Sequence, residues 1–262
     1  MSLHITLVHG QQQLHQSPSG TSAYLAFPHQ YAEGDALQVT VDRVPAYVWV
    51  QMDAGLKPAL LYVTKSPWVF TIPFNTEREW PYPDGAFLGR NHYAWARLAA
   101  PMEIKAQRNW SENSHDQHHD SGAYPHAAAN AETRDEPAFY ARNAIDGMVA
   151  NEKHGNYPFQ SWGIAGRDDA EFTLTLGHPV QIDELVIVLR ADYPHDSHWT
   201  SITVTFSDGS DAVLHLQKTA DPQHFAIAPR TITGLKLTHL VKDKDASTFP
   251  ALTELQIFGQ AE

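Results

Sequence analysis

Short runs in which apolar and polar side chains alternate recur along this chain, and no apolar stripe holds helical spacing for more than about three turns. Phe172, Leu174 and Leu176 alternate with Glu171, Thr173 and Thr175, which buries one face of a strand and wets the other. Ile202, Val204 and Phe206 repeat the pattern, and S-D-G-S at 207–210 predicts a hairpin turn into Val213, Leu214 and Leu216. Residues 182–189, I-D-E-L-V-I-V-L, end in a nearly continuous apolar run that fits a central strand covered on both sides. Leu235 and Leu237, then Leu255 and Ile257, supply two later strands.

The first part of the chain reads the same way. Residues 36–41, 46–52, 59–64 and 68–74 are short and rich in β-branched and aromatic side chains, with Gly34-Asp35, Asp42-Arg43, Gly55 and Ser66-Pro67 between them. Residues 76–93 are too rich in proline for a regular element. They predict a loop whose Trp80, Tyr82 and Tyr93 pack onto the second half. The fold class is all-β: two jelly-roll-like β-sandwich domains, residues 1–106 and 107–262, rather than an α/β fold. Residues 107–137 are polar and rich in histidine, but only the first few read as linker. Tyr124-Pro125-His126, followed by A-A-A-N-A-E, predicts a strand wedged under a loop.

Charge narrows the partners. Thirty acidic against 18 basic residues give a formal net charge of −12, with no basic cluster to offset it, so phosphate backbones and anionic lipid are repelled. Nucleic acid is excluded on that ground, and no apolar run reaches the length that membrane insertion requires. The opening M-S-L-H-I-T-L-V-H-G lacks a basic flank and a long apolar stretch; it reads as cytoplasmic unless processing or engineering has replaced a signal. Cysteine is absent, which rules out disulfides and thiolate ligands.

Seven segments in order carry a resemblance: A-A-A-N-A-E (127–132), A-R-N-A-I-D-G (141–147), S-W-G (161–163), E-F-T-L-T-L-G-H-P-V-Q-I-D-E-L-V-I (171–187), I-T-V-T-F-S-D-G-S (202–210), L-K-L-T (235–238) and A-L-T-E-L-Q-I-F-G (251–259). Through them the second half resembles the discoidin (coagulation-factor C-type) family of galactose-binding-like domains. The whole chain also resembles uncharacterised bacterial two-domain proteins described as carbohydrate-binding. The resemblance implies a sugar partner and a structural calcium ion. Asp146 and Glu254 would be its carboxylate ligands, with carbonyls near Ala144 and after Gly147 adding oxygens, a donor set that calcium accepts. The family's threonine after D-G is missing from M-V-A-N-E-K-H-G-N-Y-P-F-Q-S-W (148–162), so Asn151 or a carbonyl has to replace it. The alternative is a turn capped by Asp146 and a wet strand face at Glu254.

In that family, loops at one end of the sandwich form the ligand site. Two loops here carry suitable groups: H-G-N-Y-P-F-Q-S-W at 154–162 and R-A-D-Y-P-H-D-S-H-W at 190–199. Trp162, Trp199, Tyr157 or Tyr193 would pack on the C–H face of a sugar. Arg190, Asp192, Asp196, His154 and His195 would satisfy its hydroxyls. The competing view places the tryptophans in the core and makes Arg190–Asp192 a surface ion pair.

Catalysis is the runner-up. No G-x-S-x-G elbow, Walker loop, H-E-x-x-H or dinucleotide fingerprint occurs, and no catalytic residue is assigned. A lyase, isomerase or hydrolase acting on sugars would need His195, Asp196, His154 and Arg190 to converge, joined by Glu132 and Arg134. H-D-Q-H-H-D at 115–120, with His126 shortly after, offers imidazole and carboxylate groups that suit zinc, iron or nickel, but it matches no established ligand spacing and reads as a solvated loop. A protein-interaction module is the third reading.

Overall fold

The computed structural model describes residues 1–151, 157–191, 197–245, 247 and 249–262. The first half supplies eight strands: β1 (Leu3–His9), β2 (Gln12–Gln16), β3 (Ser22–Pro28), β4 (Asp35–Val41), β5 (Ala46–Gln51), β6 (Ala59–Val63), β7 (Trp68–Thr71) and β8 (Asn91–Leu98). Three short strands follow, β9 (Arg108–Asn109), β10 (Ala123–Tyr124) and β11 (His126–Ala129). The second half adds β12 (Trp162–Gly163), β13 (Phe172–Arg190), β14 (Trp199–Phe206), β15 (Asp211–His215), β16 (Gln223–Lys242) and β17 (Ala251–Ala261). The helices Thr76–Glu79 and Pro101–Ile104 are single turns. The fold is all-β, as the alternation predicted.

Two sheets, ordered β2-β1-β4-β7 and β10-β6-β5-β8-β3, enclose one hydrophobic cluster. Ile5, Leu7, Leu37 and Val39 from the first meet Val48, Val50, Leu61 and Ala96 from the second. A third sheet runs β12-β17-β13-β16-β14-β15, with β11 on β13 and β9 on β17, and carries a second cluster. Phe172, Leu174 and Leu176 lie in that cluster, while Glu171, Thr173 and Thr175 are half-exposed. Residues 185–190, in the strand that runs between β16 and β17, are buried on both faces. The predicted hairpin joins β14 to β15, with Gly209 at φ 85° and Asp208 Oδ1 accepting the Ser210 N–H.

Residues 108–129 lace the two clusters together. Arg108–Asn109 pair with Gly259 and Phe258, Ala123–Tyr124 pair with Val63 and Tyr62, and His126–Ala129 pair with residues 172–175. The expectation of a solvated 115–120 loop holds at His119 and Asp120, which are exposed, and fails at its start. His115 and Asp116 are buried, His115 Nε2 accepts the Met52 N–H at 3.0 Å, and Asp116 Oδ1 meets His126 Nδ1 at 2.8 Å. Burial pushes the His115 imidazole down to about 3, so it is a neutral acceptor. A buried amide N–H in need of an acceptor outweighs the polar composition of this stretch. The 76–93 loop packs on the second half through Tyr82, whose hydroxyl accepts a hydrogen bond from Arg142 Nη1 at 2.8 Å. Its end belongs to β8, so Tyr93 is a strand residue with an exposed ring. No described helix is long and apolar enough to cross a membrane.

Candidate functional site

Strand ends decide what meets at the rim of the third sheet. Arg190 ends β13 and pairs with Ala251, which starts β17; Ala251 and Leu252 in turn pair with Gly163 and Trp162 of β12. The loops entering and leaving these strands therefore share one edge. Arg190 is buried, and its Nη1 donates to the Phe159 carbonyl at 3.1 Å, joining the 157–162 segment to the start of the 190–199 loop. Beside this contact lies a recess of about 110 Å³, lined by Thr133, Arg134, Phe139, Gly163, Arg190, Phe249, Pro250 and Ala251. Phe249 is 48% exposed, and the Arg134 guanidinium lies 5.3 Å from the centre of the Phe139 ring.

The two tryptophans are corrected. Trp162 and Trp199 are each 0% exposed, with ring centres 6.1 Å apart, and Trp162 also packs on Phe172 at 5.3 Å. Trp162 Nε1 donates to the Ala131 carbonyl at 2.9 Å. Their faces fill the core between β12 and β14, so neither can stack on a ligand. The Arg190 side chain is itself buried, 3% exposed. Tyr157 is 37% exposed, its hydroxyl 3.6 Å from Met148 Sδ and pushed up to about 12 by burial and the nearby Asp146 carboxylate. His154, Asp192, Tyr193, His195 and Asp196 lie outside the described residues. Phe249 and Phe139 were not anticipated. The one signal for Phe249 was an aromatic ahead of Pro250 at the mouth of a strand.

Among the groups considered for acid–base work, Arg134 and Arg190 meet at the recess. Glu132 is committed elsewhere: Oε1 accepts the Ala141 N–H at 2.7 Å and Oε2 meets His118 Nε2 at 2.7 Å. At the same rim His198 Nδ1 lies 3.9 Å from Asp243, and Asp245 takes Lys242 Nζ at 2.9 Å and the Ser197 hydroxyl at 3.0 Å.

Asp146 and Glu254 come together on the other side of β17. Asp146 follows a 3₁₀ turn, Ala141–Ile145, and its Oδ1 and Oδ2 accept from the Met148 N–H (2.8 Å) and Gln160 Nε2 (3.2 Å). Glu254 is fully buried within β17 and is not on a wet strand face; Oε2 accepts the Gly147 N–H at a long 3.4 Å, and Oε1 is buried without a hydrogen-bond partner. Burial drives the Asp146 carboxyl up to about 7 and Glu254 well above its ordinary range, and each is raised further by nearby carboxylates that include Glu112. Buried oxygens that repel one another, one of them orphaned, fit a hard divalent cation. Asn151 is less suited to replace the missing threonine. Its Oδ1 accepts the Thr253 hydroxyl, and its Nδ2 donates to the Gln160 carbonyl at 3.2 Å.

No family model matches this chain, and no curated protein does. Solved structures similar to it include the family 32 CBM from C. perfringens NanJ in complex with galactose, at 17% identity and a TM-score of 0.39, covering 50% of this chain and 91% of that one. The lectin domain of lectinolysin complexed with Lewis B antigen is 16% identical with a TM-score of 0.43, covering 59% of this chain and 98% of that one. A Streptococcus pneumoniae fucose binding module, SpX-3, is 11% identical with a TM-score of 0.41, covering 57% and 96%.

Proposed function

We propose that this chain binds a carbohydrate at the rim where β12, β13 and β17 end. The observation that carries the reading is the recess flanked by the exposed ring of Phe249 and the guanidinium of Arg134, with buried Arg190 in its wall. A sugar presents a C–H face and pairs of hydroxyls. The first packs on an aromatic ring, and the second accepts charge-assisted hydrogen bonds from a planar guanidinium. Phe249 takes the stacking role in place of the buried tryptophans.

Asp146 and Glu254 hold calcium in this reading, with backbone oxygens of the adjoining turn and Glu112 nearby. The ion would neutralise buried carboxylates and tie the Ala141–Ile145 turn to β17, a structural role at a distance from the sugar. Titration calorimetry with galactose-type and glucuronate-type sugars tests the binding. Heat of binding in the parent, lost in Phe249→Ala with circular dichroism unchanged, supports the site. Silence across a broad glycan array overturns it.

A further inference from the structure

We propose that His118, Glu132 and Asp135 form a second metal site, selective for a divalent transition ion such as zinc, beside the cavity between the two hydrophobic clusters. One donor atom from each of the three lies within 4.8 Å of the others. One imidazole nitrogen and two carboxylate oxygens make a mixed donor set that suits zinc better than calcium, which takes oxygens.

Two of the three donors are already oriented. The His118 ring lies flat on Tyr140, with centres 3.9 Å apart and planes 13° apart, and the second Glu132 oxygen holds the Ala141 N–H. Such outer contacts fix the direction of a ligand before an ion arrives. Arg134 and Asp135 both have left-handed backbones (φ 56° and 51°), a conformation uncommon away from glycine, in the short turn that brings Asp135 back toward Glu132. His118 Nε2 and Glu132 Oε2 are 2.7 Å apart. Bonds of about 2.0–2.2 Å to a shared tetrahedral ion place neighbouring donors roughly 3.4 Å apart. A small side-chain rotation therefore converts the hydrogen bond into coordination.

Three protein donors leave positions for water or a ligand. His118 and Tyr140 also line a cavity of about 360 Å³ with His119, Arg142, Tyr82 and Glu77, so an ion here stands at its edge. The other histidine–carboxylate trio among the described residues, His198, Asp243 and Asp245, differs in that the Lys242 ammonium already sits on Asp245 at 2.9 Å.

The test is zinc titration of the full chain by calorimetry, with saturating calcium present throughout. The expected result is one tight equivalent of zinc, weakened roughly 10–100-fold in both His118→Ala and Asp135→Asn. Asp135 is exposed, so its variant keeps the fold, and circular dichroism checks both proteins. The proposal is overturned if the parent takes up no zinc, or if either variant binds it as the parent does.

Discussion

Arg190 reaches from the end of β13 to the carbonyl of Phe159, 31 residues away in sequence, and donates to it at 3.1 Å. This contact joins the two segments that flank the recess. Arg190→Met keeps the bulk of the side chain and removes the donor. The expected cost is about 1–3 kcal/mol of stability in urea unfolding, together with weaker sugar binding.

Phe249 separates recognition from folding, because about half of its surface faces solvent. Phe249→Ala is expected to leave the urea midpoint unchanged and to weaken sugar binding by roughly tenfold, about 1.4 kcal/mol. Calorimetry beside a denaturation curve reads both.

Asp146 gives the cation site a pH signature. Its folded pKa of about 7 lies above the ordinary 3.8, so the neutral carboxyl stabilises the fold at low pH. That contribution disappears as pH rises through about 7. In chelator, the stability advantage of Asp146→Asn over the parent should therefore grow from about pH 4 to about pH 7. Buried His115 and His178 act in the opposite sense, their imidazoles being held low, so the difference between variant and parent is the quantity to follow. An advantage that stays flat with pH contradicts the burial argument.

Calcium should raise the melting temperature of the parent and leave that of Glu254→Gln unchanged. The parent's gain should be larger at higher pH, where both carboxyls are ionised. Scanning calorimetry with and without the ion measures this.

Arg142 tests the junction. It is buried, donates to the Tyr82 hydroxyl at 2.8 Å and reaches the Asp116 carbonyl at 3.4 Å. Tyr82→Phe strands one donor of a buried cation, at an expected cost of about 1–3 kcal/mol in urea unfolding.

Alternation along residues 171–176 and 202–206 was sufficient to predict strands and their buried faces, because period two depends only on neighbours in the chain. The apolar end of residues 182–189 announced a central strand for a similar reason. Composition misled at His115 and Asp116, where histidine and aspartate suggest water. Whether a polar side chain is buried depends on which amide or carboxylate lies opposite it, as Met52 lies opposite His115.

Local pattern thus determined the all-β class and the core faces of the second-half strands, since both follow from side-chain direction along a pleated backbone. Tertiary structure decided which aromatics are core and which are surface: Trp162 and Trp199 share their loops with polar residues yet close on each other inside the sheet, while Phe249 is left outside. It also joined Asp146 to Glu254, and His118 to Glu132. Proximity between such residues is set by sheet register and by the path of the connecting loops, and no window of the chain contains that information.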